Sequence, residues 1–262
     1  MNETPRDMRR LAVEGAHNLR DLGGYRTRGG ELTPWRRFLR ADSPHRLSPA
    51  GIERLEGEGL GTVIDLRTTA ECAAMPNPFA ARPGVSYIHQ PVFEELAPLN
   101  LAGVDFAGGD PLLDFYRIAL DDRHEALREI LVLIAAVPEG AVMFHCTVGK
   151  DRTGIVAALL LGLAEVAPDD IVADYAMTGP LIGPLVAEFL EHTRARGDDA
   201  DKHARLLAAP AATMQAALGH IETRYGSVAR YLAHIGVPPG DRSALLDRLR
   251  GAVSTPGSAR RG

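Results

Sequence analysis

Val142-Met143-Phe144-His145-Cys146-Thr147-Val148-Gly149-Lys150-Asp151-Arg152-Thr153-Gly154 reads as an apolar strand, a short polar loop and the start of a helix. The loop opens on a thiol and closes on a guanidinium, with five residues between them. Backbone N–H groups that converge near a helix N-terminus bind tetrahedral dianions, and an arginine fork matches two of their oxygens. Gly149 permits an unusual dihedral or a close approach of backbone to ligand. A free thiol, with a pKa of about 8.5, is mostly protonated at neutral pH; helix N-termini and cations bring documented cases to about 3.5–7.5. Lys150, Arg152 and the loop amides supply such a field to Cys146, and Thr153 is placed to donate its hydroxyl to the sulfur. The chemistry expected is in-line attack of the Cys146 thiolate on phosphorus, followed by hydrolysis of a cysteinyl-phosphate. The loop Thr147, Val148, Gly149, Lys150, Asp151, Arg152 and Thr153 would hold the phosphoryl oxygens.

Outward from this stretch, residues 125–137 carry apolar side chains at helical spacing, and Pro138-Glu139-Gly140 turns the chain into the strand 141–145. The helix after the loop is expected over 153–166. Strands are expected at 35–41, 62–66 and 85–92, and a helix starts at Ser48-Pro49, where serine caps and proline opens the first turn. Alternating strands and helices indicate an α/β fold, with a central, mostly parallel sheet flanked by helices. They place the loop at the carboxyl end of a strand, where such sheets take ligands. Residues 71–83 read as irregular, and 93–111 as a long glycine-containing loop. Beyond Pro168 the pattern is helical, interrupted by a polar break at 195–202. The helical C-terminal extension therefore holds a candidate lid at 180–209. A single domain is expected over 12–250, with flexible termini at 1–11 and 251–262.

The bulk composition narrows the function. A chain of 262 residues, 45% hydrophobic and 24% charged, can bury a sizeable core. A formal net charge of -5 makes nucleic acid a poor partner, so any anion must be held by local basic residues. Two cysteines, Cys72 and Cys146, in a chain without an apolar N-terminal leader point to a reducing, cytoplasmic setting. Release without a cleaved leader is the alternative. No metal-ligand spacing appears, and the loop brings its own nucleophile and cations, so neither metal nor other cofactor is expected. The most apolar run, 155–163, is too short to span a bilayer.

His145-Cys146-Thr147-Val148-Gly149-Lys150-Asp151-Arg152-Thr153-Gly154 resembles the signature of the cysteine-dependent phosphatases, the protein tyrosine and dual-specificity superfamily. Lys150-Asp151 narrows the resemblance to the bacterial tyrosine/lipid phosphatases. Asn18 to Tyr25, Val63 to Arg67 and Tyr225-Gly226-Ser227 are similar to that group as well. The resemblance implies Cys146 as nucleophile, Arg152 as phosphoryl ligand and a helical lid. It also implies phosphorylated protein or phosphoinositide as substrate and inorganic phosphate as product, with Lys150 meeting a second phosphate. A rhodanese-like sulfurtransferase and a non-catalytic phosphate-binding module are the alternatives. The superfamily's Trp-Pro-Asp acid is missing, since the only tryptophan, Trp35, precedes Arg36. The leaving oxygen still needs a proton. Asp151 and Asp65 are the first candidates, then Asp105, Asp110 and Asp114. Arg67 is expected to hold Asp65, and Asn18, Arg20 and Asp21 to pin the N-terminal segment. His145 reads as a buried residue with an indirect effect on the sulfur, and Cys72 as a space-filler.

Overall fold

The computed structural model describes residues 8–94 and 111–251. Its sheet comprises Arg20–Asp21 (β1), Phe38–Ala41 (β2), Leu60–Asp65 (β3), Ser86–His89 (β4) and Ala141–His145 (β5), in the order β1-β2-β5-β3-β4. β5 lies in the middle, parallel to β2 and β3, and β4 runs parallel to β3. Only β1, at the edge, is antiparallel. This is the α/β architecture expected from the alternation of elements.

Side chains of a strand alternate between faces, and the core divides accordingly. Val142 and Phe144 of β5, Ile64 of β3 and Phe38 of β2 enter one apolar cluster. Ala141 and Met143, Val63, and Leu39 enter the other, with Leu55 of the helix Pro49–Gly57. Both faces of the central strands are therefore covered, which is why they read as continuous apolar runs.

The helix Asp151–Leu163 follows the loop directly and is buried on all sides, from Arg152 to Leu161 without a break. An all-round apolar helix belongs inside a domain. The C-terminal helices Pro168–Ala176, Ala211–Tyr225, Val228–His234 and Pro239–Arg250 wrap it, placing Ile171, Ile221, Leu232 and Leu245 in the same cluster. Gly162 lets Val228 come close: a Cβ there would stand 2.6 Å from its Cγ2. Among the described residues no helix is long and apolar enough to cross a membrane.

Three expectations need correction. Residues 71–83 are not wholly irregular: Thr69–Ala74 is a helix with a full capping box between Thr68 and Glu71. Within the break foreseen at 195–202, Asp199 caps a helix, Ala200–Leu207. Residues 8–11 are not uniformly loose: Met8 and Arg10 are exposed, but Arg9 and Leu11 are packed. Arg9 donates to the carbonyls of Gly23 and Gly24 and lies 3.5 Å over the Tyr25 ring, while Leu11 is buried. The loop expected at 93–111 falls mostly, and the termini 1–7 and 252–262 fall wholly, outside the described residues.

Phe144, on the central strand β5, is fully buried. Phe144→Ala is expected to cost about 3–5 kcal/mol in urea unfolding, from lost burial and the cavity left behind. A loss below about 1 kcal/mol would contradict this packing.

Candidate active site

The loop is shaped from behind. The Thr147 carbonyl accepts from the Ser43 amide at 3.1 Å. Asn18 Nδ2 donates to the carbonyls of Val148 and Gly149, at 3.0 Å each. Arg40 Nη2 donates to the Gly149 carbonyl at 2.7 Å and approaches that of Lys150 at 3.4 Å. In a trans peptide the N–H points away from the C=O. Turning these carbonyls outward therefore turns the amides of Val148, Gly149, Lys150 and Asp151 to the opposite, concave side. Gly149 has φ +71, and a Cβ on it would sit 2.4 Å from the Ala41 carbonyl oxygen, so no larger residue fits. The helix Asp151–Leu163 aims its N-terminus, and its positive dipole end, into the same concavity.

Cys146 and Arg152, 3% and 5% exposed, sit at the two ends of this turn. The terminal nitrogens of Arg152 hold Glu71 in a bidentate pair, Nη1 to Oε2 at 2.6 Å and Nη2 to Oε1 at 2.8 Å. Glu71 also accepts from the Thr147 hydroxyl and from the Thr68 amide, the latter at 2.8 Å. Burial opposes its charge, but these bonds and the Arg152 charge prevail and bring its pKa down to about 2. For Arg152, burial works against protonation and the Glu71 bonds outweigh it, so its pKa is raised. Glu71 was missed in the sequence, although Thr68-Thr69-Ala70-Glu71 is a capping-box pattern that announces a helix start.

His145 is fully buried. Its Nδ1 lies 3.0 Å from the Cys146 carbonyl and its Nε2 2.9 Å from Asn77 Nδ2. Asn77 can only donate there, so Nε2 accepts and Nδ1 carries the proton to the carbonyl. Burial lowers its pKa to about 4, which keeps the ring neutral. Thr153 is buried too, but its hydroxyl has no hydrogen-bond partner among the described residues, so the expected bond to sulfur is not formed here.

Asp65 cannot be read as a proton donor. It is fully buried and accepts from Arg67 Nε at 2.9 Å, Arg67 Nη2 at 2.6 Å and Tyr87 at 3.1 Å. Burial alone would raise its pKa; the Arg67 bonds, then the His145 and Arg67 charges, drive it well below the usual range. Its register opposite His145 places it beside the loop, where it serves the structural role foreseen for Arg67's partner. Asp114 is exposed and faces Arg117, whereas Asp105 and Asp110 lie outside the described residues. Asp151 stands at the first turn of the loop helix, with the Tyr116 hydroxyl donating to Oδ1 at 3.2 Å. Lys150 departs from expectation: its ammonium is buried and donates to the carbonyls of Leu206 and Ala208, the latter at 2.9 Å.

The model of the tyrosine phosphatase family matches residues 11–251. The chain belongs to that family. The tyrosine-protein phosphatase of Nostoc commune is 31% identical over 81% of this chain and 74% of its own length. The triple specificity protein phosphatase PtpB of Mycobacterium tuberculosis is 30% identical over 92% of this chain and 98% of its own. The crystal structure of P. aeruginosa TpbA is similar over 65% of this chain and 84% of that one, with 20% identity and a TM-score of 0.30. As a tyrosine phosphatase the protein takes a phosphorylated substrate and releases phosphate. The sulfurtransferase and binding-module alternatives are not favoured.

Two outcomes follow for this tyrosine phosphatase. Glu71→Gln removes the charge that clamps Arg152 and is expected to lower kcat/KM on p-nitrophenyl phosphate by about tenfold or more; an unchanged value would refute the clamp. His145 resists protonation when folded but not when unfolded, so stability is complete above the ordinary value of 6.5 and falls as the pH drops towards about 4. Urea midpoints between pH 7 and 4 are expected to fall less steeply in His145→Asn; parallel slopes would contradict the assignment.

Proposed function

We propose that the protein hydrolyses phosphotyrosine, with phosphoserine, phosphothreonine and phosphoinositides as further substrates, through a cysteinyl-phosphate on Cys146. The observation that carries this reading is the outward hold on the loop carbonyls between Cys146 and Arg152, which leaves the four amides that follow them to face the opposite side. Cys146 Sγ attacks phosphorus as the ester oxygen leaves on the opposite side. Amides of Val148, Gly149, Lys150 and Asp151 stabilise the equatorial oxygens together with Arg152 donors not taken by Glu71. Water then breaks the S–P bond and frees inorganic phosphate.

Asp151 is assigned as the general acid. It stands at the start of the loop helix with its side chain 15% exposed; the Tyr116 hydroxyl and the Lys150 ammonium both meet its Oδ1, at 3.2 and 3.5 Å, whereas Asp65 is fully buried and accepts on both oxygens. The broad substrate range draws on the triple-specificity relative and on Lys150. We assign the candidate lid at 180–209 to the helices Gly183–Ala195 and Ala200–Leu207, and contacts from Lys150 and Arg46 support the assignment. Lys150 caps carbonyls at the end of the second helix, where a cation also meets the negative dipole end. Arg46 pairs with both oxygens of Glu188 on the first. With the lid lifted, the freed Lys150 ammonium meets a second phosphate. A reducing, cytoplasmic setting fits a reaction that needs Cys146 as a thiol, and both cysteines are unpaired in the structure.

The test combines two variants. Cys146→Ser is expected to abolish turnover of phosphotyrosine peptides, phosphoserine peptides and phosphoinositides alike. Asp151→Asn is expected to lose about 10²–10⁴ in kcat with poor phenolic leaving groups and to recover with dinitrophenyl phosphate, which needs no proton. Equal losses across leaving groups would remove Asp151 as the acid.

A further inference from the structure

Asp174 is a buried carboxylate on the helix Pro168–Ala176, which the reaction above does not use. It ties together residues from three parts of the chain. Arg20 Nε donates to its Oδ1 at 3.0 Å, and Arg20 Nη2 to its backbone carbonyl at 2.8 Å. Arg40 Nη1 donates to Oδ2 at 2.6 Å, and the Tyr25 hydroxyl to Oδ1 at 2.9 Å.

From this carboxylate two arms run to the loop. In the first, Arg20 Nη1 donates to the Asn18 carbonyl at 3.2 Å and to its side-chain oxygen. That contact fixes which way the Asn18 amide faces, leaving Nδ2 to bond the carbonyls of Val148 and Gly149. In the second arm, the other end of Arg40 bonds the carbonyls of Gly149 and Lys150. Both arms thus end on the outward-facing oxygens whose orientation aims the amides.

Stability is a poor reason for this cluster. Burying charges carries a desolvation penalty of several kcal/mol per ion, and apolar replacements are often neutral or better. Two guanidiniums share the one Asp174 carboxylate, so this cluster itself is net positive; the buried Asp42 carboxylate faces the His17 and Asn18 amides rather than either guanidinium. Burial first, and then the Arg40 charge, lower the pKa of Arg20 accordingly. An anion bound in front of the loop would offset that excess.

We propose that Asp174 is a positioning residue for phosphoryl transfer, acting through Arg20–Asn18 and through Arg40 to hold the loop amides on the reacting phosphoryl group. The proposal rests on the phosphatase reading, which turnover by the parent enzyme and its loss in Cys146→Ser test separately. Asp174→Asn is expected to lower kcat on p-nitrophenyl phosphate by about 100-fold, the scale of a misplaced oxyanion donor. KM should move by less than about threefold, since the donors matter most in the transition state. Inhibition by orthovanadate, which adopts the five-coordinate geometry of that state, should weaken in step with kcat. Tyr25→Phe removes a bond to the same carboxylate but leaves both arms whole; it is expected to lower the urea midpoint and keep kcat within about twofold. Should Asp174→Asn not fold, Asn18→Leu keeps both ion pairs, breaks one arm, and carries the same expectation for kcat and vanadate. Either folded variant with kcat and vanadate inhibition within about twofold of the parent would overturn the proposal.

Discussion

The outward turn of the carbonyls of residues 147–150 is the constraint on which this molecule depends. A buried peptide that presents its N–H to an anion turns its C=O the other way, where that carbonyl needs a donor. Here the Ser43 amide, Asn18, Arg40 and the Gly154 amide provide it. Each donor comes from an element whose position the fold sets by other means. Arg40 lies on β2, in register with Phe144 of β5, and Asn18 stands two residues before the edge strand β1. The Asn18 backbone is itself held, its amide donating to Asp42 at 2.9 Å. The antiparallel edge strand therefore does more than extend the sheet: it brings the loop's backstop into place.

Electrostatics follow the same layout. The chain carries a net charge of -5, yet the loop is surrounded by buried positive charge. Arg152, Arg40, Arg20 and Lys150 each have an assigned acceptor, and the carboxylates among these acceptors are held in turn. Glu71 is locked by the capping box of its own helix as well as by Arg152. Asp65 is locked by Arg67, Tyr87 and Asn77, and through Asn77 it reaches the neutral His145 that bonds the Cys146 carbonyl. Such double engagement keeps dipoles and charges oriented before substrate arrives, which is the condition for electrostatic catalysis.

Legibility of the site tracked sequence distance. Cys146 and Arg152 stand on one short turn, so strand, glycine and helix start gave them away together. The strand–helix alternation was local too, and the parallel sheet followed from it. Glu71 was readable as a cap at Thr68 but not as the partner of Arg152, because that pairing depends on helix Thr69–Ala74 lying across the sheet's carboxyl edge. Asp65 looked like a proton donor because strand order places it near the loop; its bond to Arg67, two residues on, was expected, but its full burial and the Tyr87 hydroxyl emerge only when β4 packs alongside. Lys150 looked free to meet substrate, and nothing local shows that Leu206 and Ala208 turn their carbonyls towards it. Asp174 gave no signal at all, since its partners Arg20 and Arg40 join it only through the packing of helix on sheet.

The most direct measurement is a titration of the folded, isotope-labelled Cys146→Ser protein with orthovanadate, following backbone amide resonances. With the carbonyls of 147–150 held outward, the amide protons of Val148, Gly149, Lys150 and Asp151 should move together to lower field on binding, as each gains a charged acceptor. Saturable vanadate binding that leaves those four resonances in place would contradict the orientation of the loop and the chemistry drawn from it.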